Sequence, residues 1–193
     1  MAINKTRFIV SSFGTVNKFV FRSATAKEID IFTRWTIKEG WHVGPCDYPC
    51  AYDFDPKGFF MCEVDGQPVS HVSAVTYPNH HTHLGTCLVT EKYRGKGYGQ
   101  NTTHALLDTL DESYTIGLDV DSKLRPQFET RGYETVWNTY IAMLTLDKIS
   151  KNLARTEFPS DTAVKPLRNV NLEKLLEYDS SVFGTSRRIF VER

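Results

Sequence analysis

The sequence has few cysteines, no long apolar run and no excess of either charge. Its 193 residues include 4 Cys, and 23 Lys and Arg residues balance 23 Asp and Glu residues. Balanced charge excludes the strongly basic character of a nucleic-acid binder or a polybasic membrane protein. The longest apolar stretches, such as residues 72–75, fall far short of the roughly 18 residues that cross a bilayer. We therefore predict a soluble protein without a nucleic-acid or membrane partner.

The first residues also lack the pattern of a secretory signal peptide, because Ser11, Ser12, Asn17 and Lys18 interrupt any apolar core. Two of the cysteines, Cys62 and Cys87, lie in apolar, strand-like runs, which is typical of reduced core thiols rather than of a disulfide framework. These features indicate the cytoplasm, and they leave the nucleus open.

The chain does contain ample material for a folded core. Hydrophobic residues make up 40% of the sequence and aromatic residues 12%. A chain of this length buries about 70% of the surface that its unfolded form exposes. We therefore expect one compact main domain that folds without disulfides.

Apolar runs separated by turn signals predict the order of the elements. The run at residues 19–24 precedes a capping-box pattern, Thr25 and Glu28, which predicts a helix toward Gly40. Strands follow, with an Asp65-Gly66 hairpin between the first two, at residues 58–64, 68–77 and 83–89. Helix and strand patterns then alternate over residues 98–111, 114–120, 122–131 and 136–146.

This order predicts the fold class. A strand, a helix and another strand in succession require parallel pairing, whereas the preceding strands form an antiparallel meander. The prediction is an α/β fold with a mixed, mainly antiparallel central sheet flanked by helices. The interrupted aromatic segment at residues 41–55 is expected to be a loop with a short turn or helix that walls a pocket.

A glycine-rich loop, Arg-Gly-Lys-Gly-Tyr-Gly at residues 94–99, joins the fourth of these strands to the next helix. Glycine lets backbone N–H groups converge on an anion, and the helix N-terminus adds favourable dipole charge, so the loop suits a pyrophosphate. A Walker loop is excluded because Gln100 follows Gly99. Four preceding strands disfavour a dinucleotide fold, which places its glycines after the first strand.

The loop resembles the acyl-CoA loop of the GNAT acetyltransferase superfamily, Gln/Arg-x-x-Gly-x-Gly/Ala, with Arg94, Gly97 and Gly99 in the defining places. The resemblance covers about residues 19–146. It implies an N-acetyltransferase that uses acetyl-CoA as cosubstrate and moves the acetyl group to a primary amine by direct attack in a ternary complex. The cofactor-binding residues implied are Cys87, Leu88, Val89, Arg94, Gly95, Lys96, Gly97, Tyr98, Gly99 and Phe128.

A second family element, commonly Asn-x-x-Ala-x-x-x-Tyr-x-x-x-Gly-Phe, resembles the segment from Asp121 to Tyr133. Phe128 stands where many relatives have a tyrosine that protonates the departing CoA thiolate, and a phenyl ring has no proton to give. Tyr98 or Tyr133 are alternative acids. A non-catalytic acyl-CoA-binding module is the rival function.

Several side chains are candidates for the general base. The family's Glu position corresponds to His83, whose ordinary pKa of about 6.5 leaves it able to accept a proton at neutral pH. Asp119 and Asp121, expected on one face of a strand, are the second choice, followed by Glu63 and Glu91. A zinc site at His80, His81, His83, Cys46 and Cys50 is disfavoured by the spacing, so we expect no metal.

Aromatic and acidic residues near the first helix indicate the acceptor. Trp41, Tyr52 and Asp53 lie in the region that walls the acceptor pocket in this superfamily, and their chemistry favours a small-molecule amine. Ordinary core packing is the alternative interpretation of the aromatic residues, and Asp47 and Asp55 are further carboxylates that could orient an ammonium group.

The division that we expect is an acetyltransferase domain at residues 1–148, a polar linker at 149–162 and a C-terminal segment at 163–193. That segment is similar to the start of a second acetyltransferase-like lobe, or it is an extension that covers the first domain. Pairing with a second copy in a homodimer is a further possibility.

Overall fold

The computed structural model describes residues 7–9, 18–140 and 163–192. Six strands in these ranges form one sheet, ordered along the chain. They are β1 (Arg7–Ile9), β2 (Lys18–Ser23), β3 (Phe59–Val64), β4 (Gln67–Tyr77), β5 (His81–Val89) and β6 (Thr115–Leu118). The first five pair antiparallel and β5 pairs parallel with β6, which confirms the predicted mixed sheet.

The helices are α1 (Ile29–Lys38), α2 (Asp47–Phe54), α3 (Tyr98–Leu107), α4 (Arg125–Glu129), α5 (Leu172–Phe183) and α6 (Arg188–Glu192). The predicted capping box precedes α1: the backbone N–H and the hydroxyl of Thr25 donate to Glu28 Oε2 at 2.8 and 2.9 Å. Gly40, at φ +78°, stands just past the end of the helix.

Each face of the sheet buries its own apolar cluster. On one face, α3 contributes Ala105 and Leu106 to a cluster with Phe21 and Phe60. On the other, Phe32 of α1 and Tyr48 of α2 pack with Phe59. Because alternate residues of a strand point to opposite faces, Phe59 and Phe60 serve different clusters. Both helical layers approach β5, one through α1 and the other through α3.

The chain divides into two compact units, Met1–Asp119 with Leu176–Arg193, and Val120–Leu175. The C-terminal residues therefore return to the first unit. Phe183 lies edge-on to Tyr77 with 4.9 Å between ring centroids, and Phe190 lies 5.2 Å from Phe54. Arg187 stacks over Phe183 at 4.1 Å and pairs with Asp179, which fixes the turn between α5 and α6.

Several predicted boundaries are wrong. The α3 helix ends at Leu107 instead of residue 111, and β1 was not predicted because three residues carry too little pattern. The α4 helix begins at Arg125 instead of residue 122, because Pro126 fits only the first turn of a helix. Residues 136–140 do not form the start of the predicted strand, and residues 141–146 lie outside the described residues.

Candidate active site

The central feature of the site is a fork between β5 and β6. These strands pair from His81 opposite Thr115 to Leu84 opposite Leu118, after which β6 ends and β5 continues to Val89. Within the described part of the first unit, no strand pairs with β5 on this side beyond Leu84. Its backbone N–H and C=O groups there are available to an extended ligand.

A bulge lies where the fork opens. Val72 pairs with Cys87 but Ala74 pairs with Leu84, so β5 contains one more residue than β4 between these positions. Gly85 makes the bulge possible, because a Cβ atom at this position would lie 2.2 Å from Ser73 Oγ. The bulge redirects the side chain of Thr86.

The glycine loop begins just beyond the end of β5. Gly95 and Gly97 have φ values of +70° and +82°, and Gly97 is the N-cap residue of α3. The first-turn N–H groups of a helix have no partner within the helix, so those at the start of α3 can face an anion. Positive φ explains why glycine is needed at position 97, where the space for a Cβ atom is open.

Side chains hold the loop against the rest of the unit. Arg94 Nε donates to the Val89 carbonyl at 2.9 Å, and the guanidinium also pairs with Glu39 beyond the end of α1. The Nζ atoms of Lys92 and Lys96 lie 5.3 and 5.5 Å from the Tyr93 ring centroid. Lys92, just before the glycine loop, and Lys96, within it, thus place two ammonium groups close to the start of α3. The sequence alone did not identify Lys92 and Tyr93 as part of the site.

Cys87 lies on the free length of β5 and is exposed, so the prediction that it is a core thiol is wrong, whereas Cys62 is buried as predicted. The Cys87 sulfur lies 3.5 Å from Thr103 Oγ1. Desolvation by the surrounding atoms raises the pKa of the Cys87 thiol, and the hydrogen bond with Thr103 only partly offsets it. The group is therefore a neutral thiol at pH 7.

His83 and Asp119 meet at the fork. His83 lies one residue before the last β5–β6 pair, and its Nε2 atom is 3.9 Å from Asp119 Oδ2. Burial lowers the pKa of His83, the Asp119 charge partly opposes this, and His81 adds to the lowering. His83 is thus a mainly neutral imidazole at pH 7, with 41% of its side chain exposed.

The expectation that Asp119 and Asp121 share a strand face is wrong, because β6 ends at Leu118. Asp121 belongs to the second unit, where its Oδ1 accepts a hydrogen bond from the Lys123 N–H at 2.9 Å. Phe128 lies in the same unit on α4, 5.6 Å from the Tyr133 ring and nearly perpendicular to it.

The alternative base Glu63 has a structural partner. Its Oε1 accepts hydrogen bonds from Arg22 Nε at 2.9 Å and from Arg22 Nη2 at 2.5 Å. The same guanidinium binds Glu28, and this contact lowers the pKa of Glu28 to about 2. Glu63 therefore belongs to an ion-pair cluster that joins β2, β3 and the start of α1.

The predicted acceptor residues surround α2. Trp41 is 47% exposed in the segment between α1 and α2, and Asp53 is exposed on α2. The Tyr52 ring packs edge-on against Phe59 at 5.5 Å. Asp47 accepts from the Gly44 N–H at 2.7 Å and Asp55 from the Thr76 N–H of β4 at 2.9 Å, so both carboxylates bind backbone N–H groups.

A buried polar chain under α1 and α2 was also missed. Thr86, in the bulge, contacts Tyr48 on one side and His71 on the other. No sequence signal could have joined these residues, because Tyr48, His71 and Thr86 belong to three separate elements and none lies in a motif.

The described residues contain neither a cluster of metal-binding side chains nor a helix that could span a membrane. No group of three or more His, Cys, Asp or Glu residues among them is placed to hold a metal ion. Similarly, none of the helices in the described ranges has the length and apolar character to cross a membrane.

The chain matches the model of the Acetyltransferase (GNAT) family over residues 28–127. A curated relative, holothin acyltransferase of Pseudoalteromonas sp. (strain SANK 73390), is 24% identical over 166 residues, covering 86% of this chain and 53% of the relative. The chain thus spans about half the length of that relative.

Solved structures share the fold. A Pyrococcus horikoshii protein assigned as an acetyltransferase has a TM-score of 0.61 at 16% identity, covering 90% of this chain and 60% of that one. Arabidopsis thaliana Naa50, in complex with the bisubstrate analogue CoA-Ac-MVNAL, has a TM-score of 0.52 at 15% identity, covering 65% of this chain and 91% of that one. At these identities the likeness concerns the fold.

Proposed function

Because the chain belongs to the GNAT acetyltransferase family, we propose that it moves the acetyl group of acetyl-CoA to a primary amine of a small molecule. The observation that carries the proposal is the fork, which leaves the end of β5 free on one side and leads directly into the glycine loop. One strand can therefore bind the acyl arm of CoA along its edge while the loop binds the phosphates.

In this proposal the pantetheine arm hydrogen-bonds to the backbone of residues Cys87 to Val89. The pyrophosphate lies against the N–H groups of residues 95–99, where two positive-φ glycines and the α3 dipole favour an anion. Lys92 and Lys96 add positive charge. Arg94 acts by fixing the loop to β5 and Glu39. Phe128, which the family resemblance implies for cofactor binding, belongs to the second unit.

The amine reaches the thioester at the fork. An ammonium of pKa about 10 must first lose a proton, because only the free lone pair can attack the carbonyl carbon. His83 accepts this proton, directly or through water, and Asp119 stabilises the resulting imidazolium. Of the two aspartates that are the second choice of base, Asp119 and Asp121, Asp119 belongs to the same unit as His83. The C–S bond breaks as the C–N bond forms, and the second proton of the attacking nitrogen passes to the departing thiolate, so that CoA leaves as the thiol.

Direct attack in a ternary complex is favoured over an acyl-enzyme. The Cys87 thiol is the reactive group that lies on β5, and its raised pKa keeps it protonated and weakly nucleophilic. The departing CoA thiolate, with a pKa of about 8.5 for an ordinary thiol, is a tolerable leaving group near neutral pH. Phe128 therefore does not prevent turnover, and family membership supports an enzyme over a binding module.

The acceptor class is inferred from the surface near α2. Trp41 supplies an exposed aromatic face for cation–π contact, and Asp53 supplies negative charge to attract an ammonium group. Tyr52, which packs against Phe59, forms one wall of the acceptor pocket in this proposal. A relative named for acyl transfer to holothin makes holothin one acceptor to test, whereas the complex of Naa50 makes a peptide the competing class.

Thiol release from acetyl-CoA across a panel of acceptors tests the proposal. The panel contains spermidine, aromatic amines, amino acids, holothin and a lysine peptide, with mass spectrometry of the products and of the protein. We expect one small amine to be acetylated and no acetyl adduct on Cys87. Acetylation of the lysine peptide alone would refute the small-molecule acceptor, and no release across the panel would favour the binding module.

The organisation of the whole protein is also a proposal. Residues 176–192 share a compact unit with residues 18–119, which supports a C-terminal extension of the residue 1–148 domain over the start of a second lobe. Tyr178 and Val182 are 68% and 71% exposed on α5 and are the surface that we propose for a homodimer. Light scattering of the wild type and of Val182→Glu tests this, with a monomer expected for the variant.

A further inference from the structure

A histidine at the centre of the sheet has no part in the chemistry proposed above. His71 lies on β4 with 0% of its surface exposed. Its ring centroid is 4.1 Å from that of Phe32 and 5.6 Å from that of Trp35, both on α1. A hydrocarbon side chain would fill this space without burying two ring nitrogens, so the imidazole must be explained by its polar contacts.

Those contacts lead to the bulge of β5. His71 Nδ1 lies 3.5 Å from Thr86 Oγ1, which also accepts a hydrogen bond from the Tyr48 hydroxyl at 3.1 Å. The Tyr48 hydroxyl is 3.0 Å from Thr36 Oγ1, and the Thr36 hydroxyl donates to the Phe32 carbonyl at 2.6 Å. We call the four side chains His71, Thr86, Tyr48 and Thr36 the His71 chain.

The His71 ring reaches this chain through one nitrogen only. Tyr48 donates to Thr86 Oγ1, and the contact between Thr86 Oγ1 and His71 Nδ1 has either atom as the donor, according to the imidazole tautomer. Among the described residues, Nε2 has no hydrogen-bond partner. The ring thus leaves one buried nitrogen unpaired while the other contacts the hydroxyl in the bulge.

We propose that His71 is a positioning residue for acyl transfer, which orients the Thr86 hydroxyl and thereby fixes the β5 bulge where the amine meets the thioester. The inference rests on the proposed function, since the bulge matters only if the reaction occurs at the fork. Misplacing reacting groups by about 1 Å costs roughly a hundredfold in rate. Burial lowers the pKa of His71 to about 3, so the ring is an uncharged imidazole at neutral pH.

Three variants test this role. His71→Leu removes the polar partner of Thr86, His71→Asn retains a polar atom near the position of Nδ1, and Thr86→Val removes the hydroxyl at nearly constant volume. We expect His71→Leu and Thr86→Val to lower kcat by about tenfold or more, with KM for acetyl-CoA changed by less than about threefold. The Asn variant should recover most of the rate, and the Leu/Val double variant should be no slower than either single variant.

Met61→Ala is the matched control. Met61 is buried on β3 directly opposite His71 and is not part of the His71 chain. It should lower the melting temperature while leaving kcat of the folded enzyme within about threefold. If His71→Leu and Thr86→Val behaved like Met61→Ala, losing stability but not kcat, the positioning role would be refuted.

The test remains distinct from that of the proposed function. The kinetics use the acceptor that the panel identifies, so acetylation of a lysine peptide alone would remove the small-amine proposal and leave the comparison of His71 variants intact. If no acceptor were turned over, the imidazole ¹⁵N signals of His71 decide the matter. They should differ between the acetyl-CoA and CoA complexes, which differ only in the acetyl group, and identical signals would overturn the inference.

Discussion

The two ends of the free length of β5 are built in different ways. At the Val89 end, the site consists of backbone from a continuous stretch, with glycines at positive φ leading into α3. At the Gly85 end, a bulge is held by side chains from α2, β4 and β5 that lie far apart in the sequence. The first arrangement suits a constant ligand such as CoA, and the second can differ from one acceptor to another.

The largest effect is expected from a charge placed in the glycine loop, because it should abolish the function of one end of β5 and not of the other. Gly97→Asp should weaken acetyl-CoA binding by about a hundredfold or more, because the side chain strains a residue at φ +82° and repels the phosphates. Calorimetric titration measures the effect. Gly66→Asp is the control, since Gly66 has φ +80° in the β3–β4 hairpin. Equal loss of binding in both variants would mean that strain alone is responsible.

Removing the base at the other end should affect rate more than binding. His83→Gln is expected to lower kcat about a hundredfold with little change in acetyl-CoA affinity. Steady-state kinetics and calorimetry measure the two quantities, and His104→Gln, exposed on α3, is the control. A variant as fast as the wild type would show that His83 is not the base.

The pH dependence of the rate is a second test of His83 as the general base. Because burial lowers the pKa of His83, kcat/KM should hold below pH 6.5 and fall only as the pH drops through the folded-state value. Asp119→Asn removes the charge that opposes this lowering and should shift the acid limb to still lower pH. An acid limb that Asp119→Asn does not move would contradict the pairing.

The buried His71, which supports the Gly85 end of β5, should also make the stability of the protein sensitive to acid. The pKa of His71 is about 3 in the folded state and about 6.5 when unfolded, so between these values the unfolded chain binds more protons and stability falls as the pH is lowered. Between pH 7 and pH 5 this group should cost about 2 kcal/mol of unfolding free energy. Its ring contacts Phe32, Trp35 and Thr86, none of them charged. Urea titrations at both pH values should show a smaller loss for His71→Leu.

The smallest expected effect concerns the attraction of the acceptor amine by Asp53. Asp53→Asn should raise KM for the amine by about threefold without changing kcat, because an exposed charge contributes less than about 1 kcal/mol. Asp30→Asn, exposed on α1, is the control. Equal KM values for the two variants would exclude Asp53 from the acceptor pocket.

The same contrast explains what could be predicted from the sequence. Strand order, the Asp65-Gly66 hairpin and the Arg94–Gly99 loop depend on local patterns, and the structure has each of these elements. The bulge was not predicted, because it depends on Ser73 lying opposite Gly85 across two strands. The His71 chain was missed for the same reason, and the end of β6 at Leu118 depends on pairing rather than on propensity.

The return of the C-terminal residues to the first unit has a consequence for biosynthesis. Tyr77 and Phe54 receive their partners, Phe183 and Phe190, only after more than a hundred further residues have been added. During translation, the aromatic surface beside α2 therefore stays uncovered while most of the chain emerges from the ribosome. Contacts of such long sequence separation form late in folding, so this surface is where a nascent chain would need protection by a chaperone.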